Sequence, residues 1–186
     1  QQKSLTATIA MMARYTGEEA EFRTLGLTVQ AITGPMALAR NYPDADGVVH
    51  PEAVEAALRP DTILISVMLV NNEVGTIQPI KEIARLARER GILMHTDACQ
   101  APGFVSLNVE ELGVDLLSLN ASKIYGPKGV GLLYIREGVK ITPFIHGGGQ
   151  EFRMRGGTES AALIVGFSKA LELVLKDAKK EAARLQ

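Results

Sequence analysis

The stretch SLNASKIYGPKGVG, residues 118 to 131, sets Lys123 between the end of an apolar run and a Tyr-Gly-Pro turn. Two other apolar runs also end in polar groups able to do chemistry. Asn71, Asn72 and Glu73 follow TILISVMLV, Asp97 and Gln100 follow ILMHT, and Asn120, Ser122 and Lys123 follow VDLLSL. An amine, a carboxylate and amides meeting in one cleft suit pyridoxal phosphate (PLP). The lysine would form a Schiff base with the aldehyde. The carboxylate would keep the pyridine nitrogen protonated so that the ring acts as an electron sink, and an amide would bond the phenolic oxygen. Desolvation and the cationic ring would depress the pKa of the amine and free it as nucleophile and proton carrier. A lone loop lysine is more often a solvated charge, and a lone aspartate after a strand a turn or cap carboxylate. The elements that would bring the two together therefore decide.

Those elements are legible in the hydrophobic pattern. The first 25 residues read as a helix and a polar stretch, with Ile9, Met11 and Met12 as core, and GLTVQAI (26 to 32) reads as a strand. NYPDADGV (41 to 48) has the composition of a connecting loop. HPEAVEAALRP predicts a helix with Pro51 in its first turn, and TILISVML (62 to 69) a strand buried on both faces. PIKEIARLARER predicts a helix that starts at Pro79 and stops at Gly91. A strand at ILMHT, a short helix around NVEEL, strands at VDLLSL and GVGLLYI, and a long amphipathic helix from about Ala161 to Leu185 complete the pattern. In that last helix Ile164, Phe167, Ala170, Leu171 and Val174 form the packing ladder. Strands alternating with helices predict an α/β sheet, mostly parallel in its middle. Ligands of such sheets sit beyond the carboxyl ends of the strands, where the polar groups lie. The expected organisation is a lead-in over 1–45, a cofactor-binding core over 46–157, and a C-terminal helix over 158–186 that connects toward a further small domain.

Bulk properties narrow the class. The 186 residues suit about one domain, and 46% apolar residues suffice for a core. Twenty basic and 21 acidic side chains, with no tryptophan, offer neither a phosphate-tracking surface nor a stacking platform, so no nucleic-acid partner is expected. The single cysteine cannot form an internal disulfide, which suits a reducing, cytoplasmic setting. No apolar run reaches the roughly 18 residues that span a bilayer, and no signal peptide is visible.

Four motifs in register, VNNEVGTIQPI, HTDACQAPG, KIYGPKGVGLLYIR and GGGQEFRMRGGTES, are similar to those of the cysteine desulfurases and selenocysteine lyases. These are aminotransferase class V enzymes of the fold type I architecture, and the resemblance runs from about Asp46 to Leu171. It implies the large-domain core of that fold, incomplete in these residues. It also implies PLP on Lys123 as an internal aldimine, Asp97 on the pyridine nitrogen, Gln100 on the ring hydroxyl and Asn72 beside the ring. Thr158 would reach the phosphate of a neighbouring subunit, hence a homodimer, and Arg155 would be structural. The implied reaction removes sulfur from L-cysteine, giving alanine and a persulfide passed to an acceptor protein in iron-sulfur or thio-cofactor assembly. A related selenocysteine or carbon-sulfur lyase, or a noncatalytic scaffold, would share much of the pattern. Where the family usually has Ser-x-His before the lysine, this chain has Asn120-Ala121-Ser122, which could still bond the phosphate, and Phe152 replaces an arginine. The glycine turn for the phosphate, the ring-stacking histidine and the persulfide cysteine have no counterpart here and are expected beyond both ends.

Other reactive residues read more plainly. Cys99 is expected to be a small buried residue rather than a nucleophile. His95 is expected to be a satisfied core histidine, since no second ligand stands at a metal-binding spacing. His146 stays open, and Lys128 reads as a surface charge. GPKGVG lacks the Gly-Lys-Ser/Thr of a phosphate loop, and GGGQE reads as a flexible connection.

Overall fold

The computed structural model describes residues 22–24, 27–31 and 45–185. The expected helix with Ile9, Met11 and Met12 lies outside them, as do residues 41–44 of the expected loop. Six strands form one sheet in chain order: β1 (Phe22–Thr24), β2 (Leu27–Ala31), β3 (Thr62–Met68), β4 (Leu93–Asp97), β5 (Leu116–Asn120) and β6 (Gly131–Ile135). The pairs β2–β3, β3–β4 and β4–β5 are parallel, and the two outer pairs are antiparallel. Sequential order with parallel pairing sends every middle connection back across the sheet. The carboxyl ends of β3, β4 and β5 therefore lie side by side, with Met68, Asp97 and Ser118 in one row.

Helices cover one face. Helix α1 (Pro51–Ala57) begins on its proline and buries Val54. Helix α2 (Ile80–Glu89) buries Ile80, Ile83, Ala84, Leu86 and Ala87, at positions i, i+3, i+4, i+6 and i+7, which make one stripe against β4. It stops at Gly91, whose φ of +68° suits a residue without Cβ. Helix α3 (Val109–Leu112) is capped by Asn108, whose side chain accepts from the N–H groups of Glu110 and Glu111. Helix α4 (Ala161–Leu185) buries Phe167 and rests Leu163, Ala170, Leu171 and Val174 on the core. Leu163 packs on the core in place of the expected Ile164, which is half-buried beside it.

The core lies between these helices and the sheet positions Ile65, Val67, Met94, Leu117 and Leu119. β3 is not buried on both sides along its length: Thr62, Leu64 and Met68, on the face away from the helices, are half-buried, and Ile63, at the start of the helix-side row, is 37% exposed. One buried charge pins the sheet. Asp115, with a side chain 9% exposed, accepts from the Met94 N–H at 2.7 Å and from Arg136 Nε and Nη2 at 2.7 and 2.6 Å. The carboxylate thus ties the start of β5 to β4 and to the residue after β6.

Candidate cofactor site at the ends of three parallel strands

After β3 the chain makes a tight hairpin closed by a bridge between Val70 and Ile77. Asn71 is 2% exposed, and its Oδ1 accepts from the N–H groups of Glu73 and Val74 at 2.8 and 3.0 Å. Its amide oxygen is thus consumed in shaping the turn. Asn72 is exposed, and its Nδ2 donates to Glu73 Oε1 at 2.7 Å. Gln78 clamps the hairpin to the preceding loop, accepting from Val49 N–H and donating to the Gly47 carbonyl, both at 2.8 Å.

After β4, Asp97 is half-buried, and its Oδ1 accepts from the Cys99 N–H at 2.9 Å. Ala98 and Ala101 are fully buried beneath it, and Gln100 is half-buried beside it. Cys99 sits in the field of both charged residues. Burial first, then the charge and hydrogen bond of Asp97, push its thiol pKa far up, with Lys123 opposing more weakly. The thiol stays protonated, in line with a small structural residue.

After β5 the backbone enters a short 3-10 turn, Ala121–Ile124, that carries Lys123. Asn120 caps it, its Oδ1 accepting from Ser122 N–H at 2.8 Å and Ser122 Oγ at 2.6 Å. Ala121 and Ile124 are buried, whereas Ser122 and Lys123 face out. The turn ends at Tyr125, left-handed at φ 61°, and the Gly126 N–H returns to the Ala121 carbonyl at 2.9 Å. Helix α4 holds this turn from behind. A Cβ on Gly126 would lie 2.9 Å from the Ala121 carbonyl oxygen and 3.1 Å from Ala170 Cβ, and one on Gly166 would lie 3.0 Å from Pro127. Lys123 therefore stands on a rigid turn. The desolvation expected of it is not supplied by the described residues, since its side chain is exposed.

Sequence reasoning missed a row of hydrogen bonds just below these strand ends. His95 Nδ1 lies 2.7 Å from Ser66 Oγ, and His95 Nε2 lies 2.8 Å from Ser118 Oγ. The imidazole is satisfied, as expected, but by side chains of two other strands. Burial lowers its pKa, with the Asp97 charge opposing. Only the strand register reveals the row, because Ser66 pairs with His95 and Ser118 pairs with Asp97.

Loop 145–157 is more ordered than a flexible connection. Gly156 N–H donates to the Ile145 carbonyl at 2.9 Å, and Gly157 N–H to Gln150 Oε1 at 3.2 Å. Glu151, Phe152 and Arg153 are left-handed in succession. His146 lines a hollow of about 330 Å³ with Pro143, Ile145, the three glycines Gly147, Gly148 and Gly149, and Arg153. Arg155 Nη1 donates to the Gly156 carbonyl at 2.6 Å, while its Nε is buried and has no partner among the described residues. Thr158, exposed just after this loop, shares no hydrogen bond with the strand-end group among the described residues.

Asp97, Gln100, Asn120, Ser122 and Lys123 thus gather at one edge, with Asn72 on the neighbouring strand end. An amine and a carboxylate so placed can hold a ligand that offers an electrophile to one and a proton-bearing ring nitrogen to the other. Among the described residues no three His, Cys, Asp or Glu side chains group as a metal site. No described helix is long and apolar enough to cross a membrane.

Over 142 residues the chain is 56% identical to the cysteine desulfurase IscS of Dictyoglomus turgidum, covering 76% of this chain and 36% of that protein. Over 145 residues it is 46% identical to the mitochondrial cysteine desulfurase of Saccharomyces cerevisiae, covering 77% and 29%. It spans little more than a third of the first relative's length. Among solved structures, a NifS-like protein superposes with a TM-score of 0.71 at 44% identity, covering 74% of this chain and 38% of that one. SspA in complex with cysteine superposes at 0.68 and 47% identity, covering 70% and 38%. Residues 27–186 match the family described as Aminotransferase class-V, and the chain belongs to that family.

Proposed function

We propose that these residues are the cofactor-holding core of a PLP-dependent cysteine desulfurase. The observation that carries the reading is the parallel pairing of β4 with β5, which brings Asp97, at the end of one strand, and the turn of Lys123, just after the other, to the same edge of the sheet. The donor set fits the cofactor: one amine on a rigid turn, one carboxylate, and amides from Gln100 and Asn72 at the same edge. When bound, PLP supplies an aldehyde for the substrate amine and a ring that takes up an electron pair.

In this reading Lys123 would hold the cofactor and would carry protons to and from the substrate carbons. Asp97 keeps the proton on the ring nitrogen. Gln100 would bond the ring oxygen, Asn72 would serve the ring and the substrate carboxylate, and Asn120 and Ser122 would hold the phosphate with Thr158 of a second copy. A thiolate attacks the sulfur of cysteine, the carbon-sulfur bond breaks, and the carbon skeleton leaves as alanine after protonation. The persulfide so formed passes its sulfur to an acceptor protein. That thiolate is not Cys99, which is held protonated against Asp97. It comes from outside these 186 residues, whose single cysteine is Cys99.

Visible absorption tests the reading. The purified protein is expected to gain a band on addition of PLP, and Lys123→Ala is expected to lack it. A folded protein with no band, or a band untouched by Lys123→Ala, contradicts the proposal and favours a scaffold. Alanine and sulfide production from L-cysteine, compared with selenide release from selenocysteine, then tests the substrate.

A further inference from the structure

Ser66, His95 and Ser118 come from three adjacent strands, and the imidazole joins them through both ring nitrogens at 2.7 and 2.8 Å. The row spans two interstrand spacings, about 9.6 Å, directly below the level of Asp97. An all-apolar layer would avoid the desolvation of three polar side chains. A sheet that keeps the polar row gains geometry rather than net stability. Asp97 lies two residues after His95 on the same face of β4 and opposite Ser118 on β5. Lys123 begins five residues beyond Ser118, after the Asn120 cap. Whatever fixes β4 against β5 at this depth also fixes the separation of carboxylate and amine.

We propose that Ser66, His95 and Ser118 are positioning residues for the Asp97 carboxylate. Ser66 O–H donates to His95 Nδ1 and His95 Nε2–H donates to Ser118 Oγ, which leaves the Ser118 proton to face the side of β5 where Asp97 stands. This polarity places the positive end of the row toward the anion; the opposite tautomer reverses it. Burial of the ring, which holds it neutral, allows one nitrogen to accept. The role in cofactor binding rests on the function proposed above, whereas the tautomer does not.

Two measurements test it. Nitrogen-15 NMR of the cofactor-free protein at neutral pH is expected to show His95 as a neutral ring, with the proton on Nε2 and a bare Nδ1. A proton on Nδ1, or on both nitrogens, overturns the polarity and with it the proposal. PLP affinity is then read by absorption titration in a double-mutant cycle. His95→Leu is expected to weaken binding by about tenfold or more, with His95→Gln, which keeps a donor and an acceptor, recovering part of the loss. In an Asp97→Asn background the same His95→Leu change is expected to have almost no further effect, because its influence passes through the carboxylate. Independent, multiplying losses would show His95 to be a structural residue only and overturn the positioning role. Failure of the unmodified protein to bind PLP would instead overturn the functional reading itself, and the positioning role with it, while leaving the NMR result standing.

Discussion

Cys99 stands where a reactive thiol would be convenient, between an amine and a carboxylate, and its surroundings disarm it. Burial and the Asp97 charge both favour the thiol, leaving almost no thiolate at neutral pH. Cys99→Ala is therefore expected to change sulfide release from cysteine by less than about twofold, and loss of the activity would restore Cys99 as nucleophile. The placement of Asp97 and Lys123 at one sheet edge was legible from sequence, because each stands at or just after the end of an apolar run. The roles of Asn71 and Asn72 were not separable that way: adjacent identical amides differ only in that one turns inward to two backbone N–H groups. The exposure of Lys123 was hidden for a related reason, since burial depends on what covers an edge and not on the residue that ends it.

The turn that presents Lys123 depends on close backbone approach to helix α4. A methyl at Gly126 meets the Ala121 carbonyl oxygen of the turn itself at 2.9 Å, an atom that cannot rotate away, and the Ala170 Cβ of the helix at 3.1 Å. Gly126→Ala is thus expected to cost about 1–3 kcal/mol in urea unfolding and to weaken PLP binding. An unchanged midpoint would show that the turn is not seated on the helix. The Asp115 clamp is a second test at this scale. Asp115→Ala frees a buried N–H and the guanidinium of Arg136, and is expected to cost about 2–3 kcal/mol, read by the same unfolding titration. A loss below about 0.5 kcal/mol would mark the pair as dispensable. Helices α1, α2 and α4 and strands β3 to β6 were readable from periodicity and from Pro51, Pro79 and Gly91. The partial exposure of β3 and the closed loop 145–157 were not. The first depends on the neighbours of the sheet, and the second on hydrogen bonds between glycine backbones that have no side-chain signature.

Across the whole molecule, two half-buried groups, His95 and Cys99, confine the pH range of greatest stability. The native pKa of His95 lies below its ordinary 6.5, so on acidification through that value the unfolded chain takes up a proton that the native chain refuses, and stability falls. The native pKa of Cys99 lies above its ordinary 9.0, so above that value the unfolded chain releases a proton that the native chain keeps, and stability falls again. Each group contributes a limb of up to about 1.4 kcal/mol per pH unit. Urea unfolding across pH is expected to show a plateau between the two values, and Cys99→Ser is expected to flatten the alkaline limb. An alkaline limb of equal steepness in that variant would contradict the burial of the thiol. The sheet order that sets these groups side by side was inferable as an α/β class but not as a register, and the Ser66–His95–Ser118 row exists only in the register. The proposed function rests on cofactor capture by a single amine. Incubation with PLP, borohydride reduction and peptide mass spectrometry tests that directly: the added mass is predicted on the peptide containing Lys123 and nowhere else. Its appearance on another lysine, or its absence from a folded protein, would contradict the account.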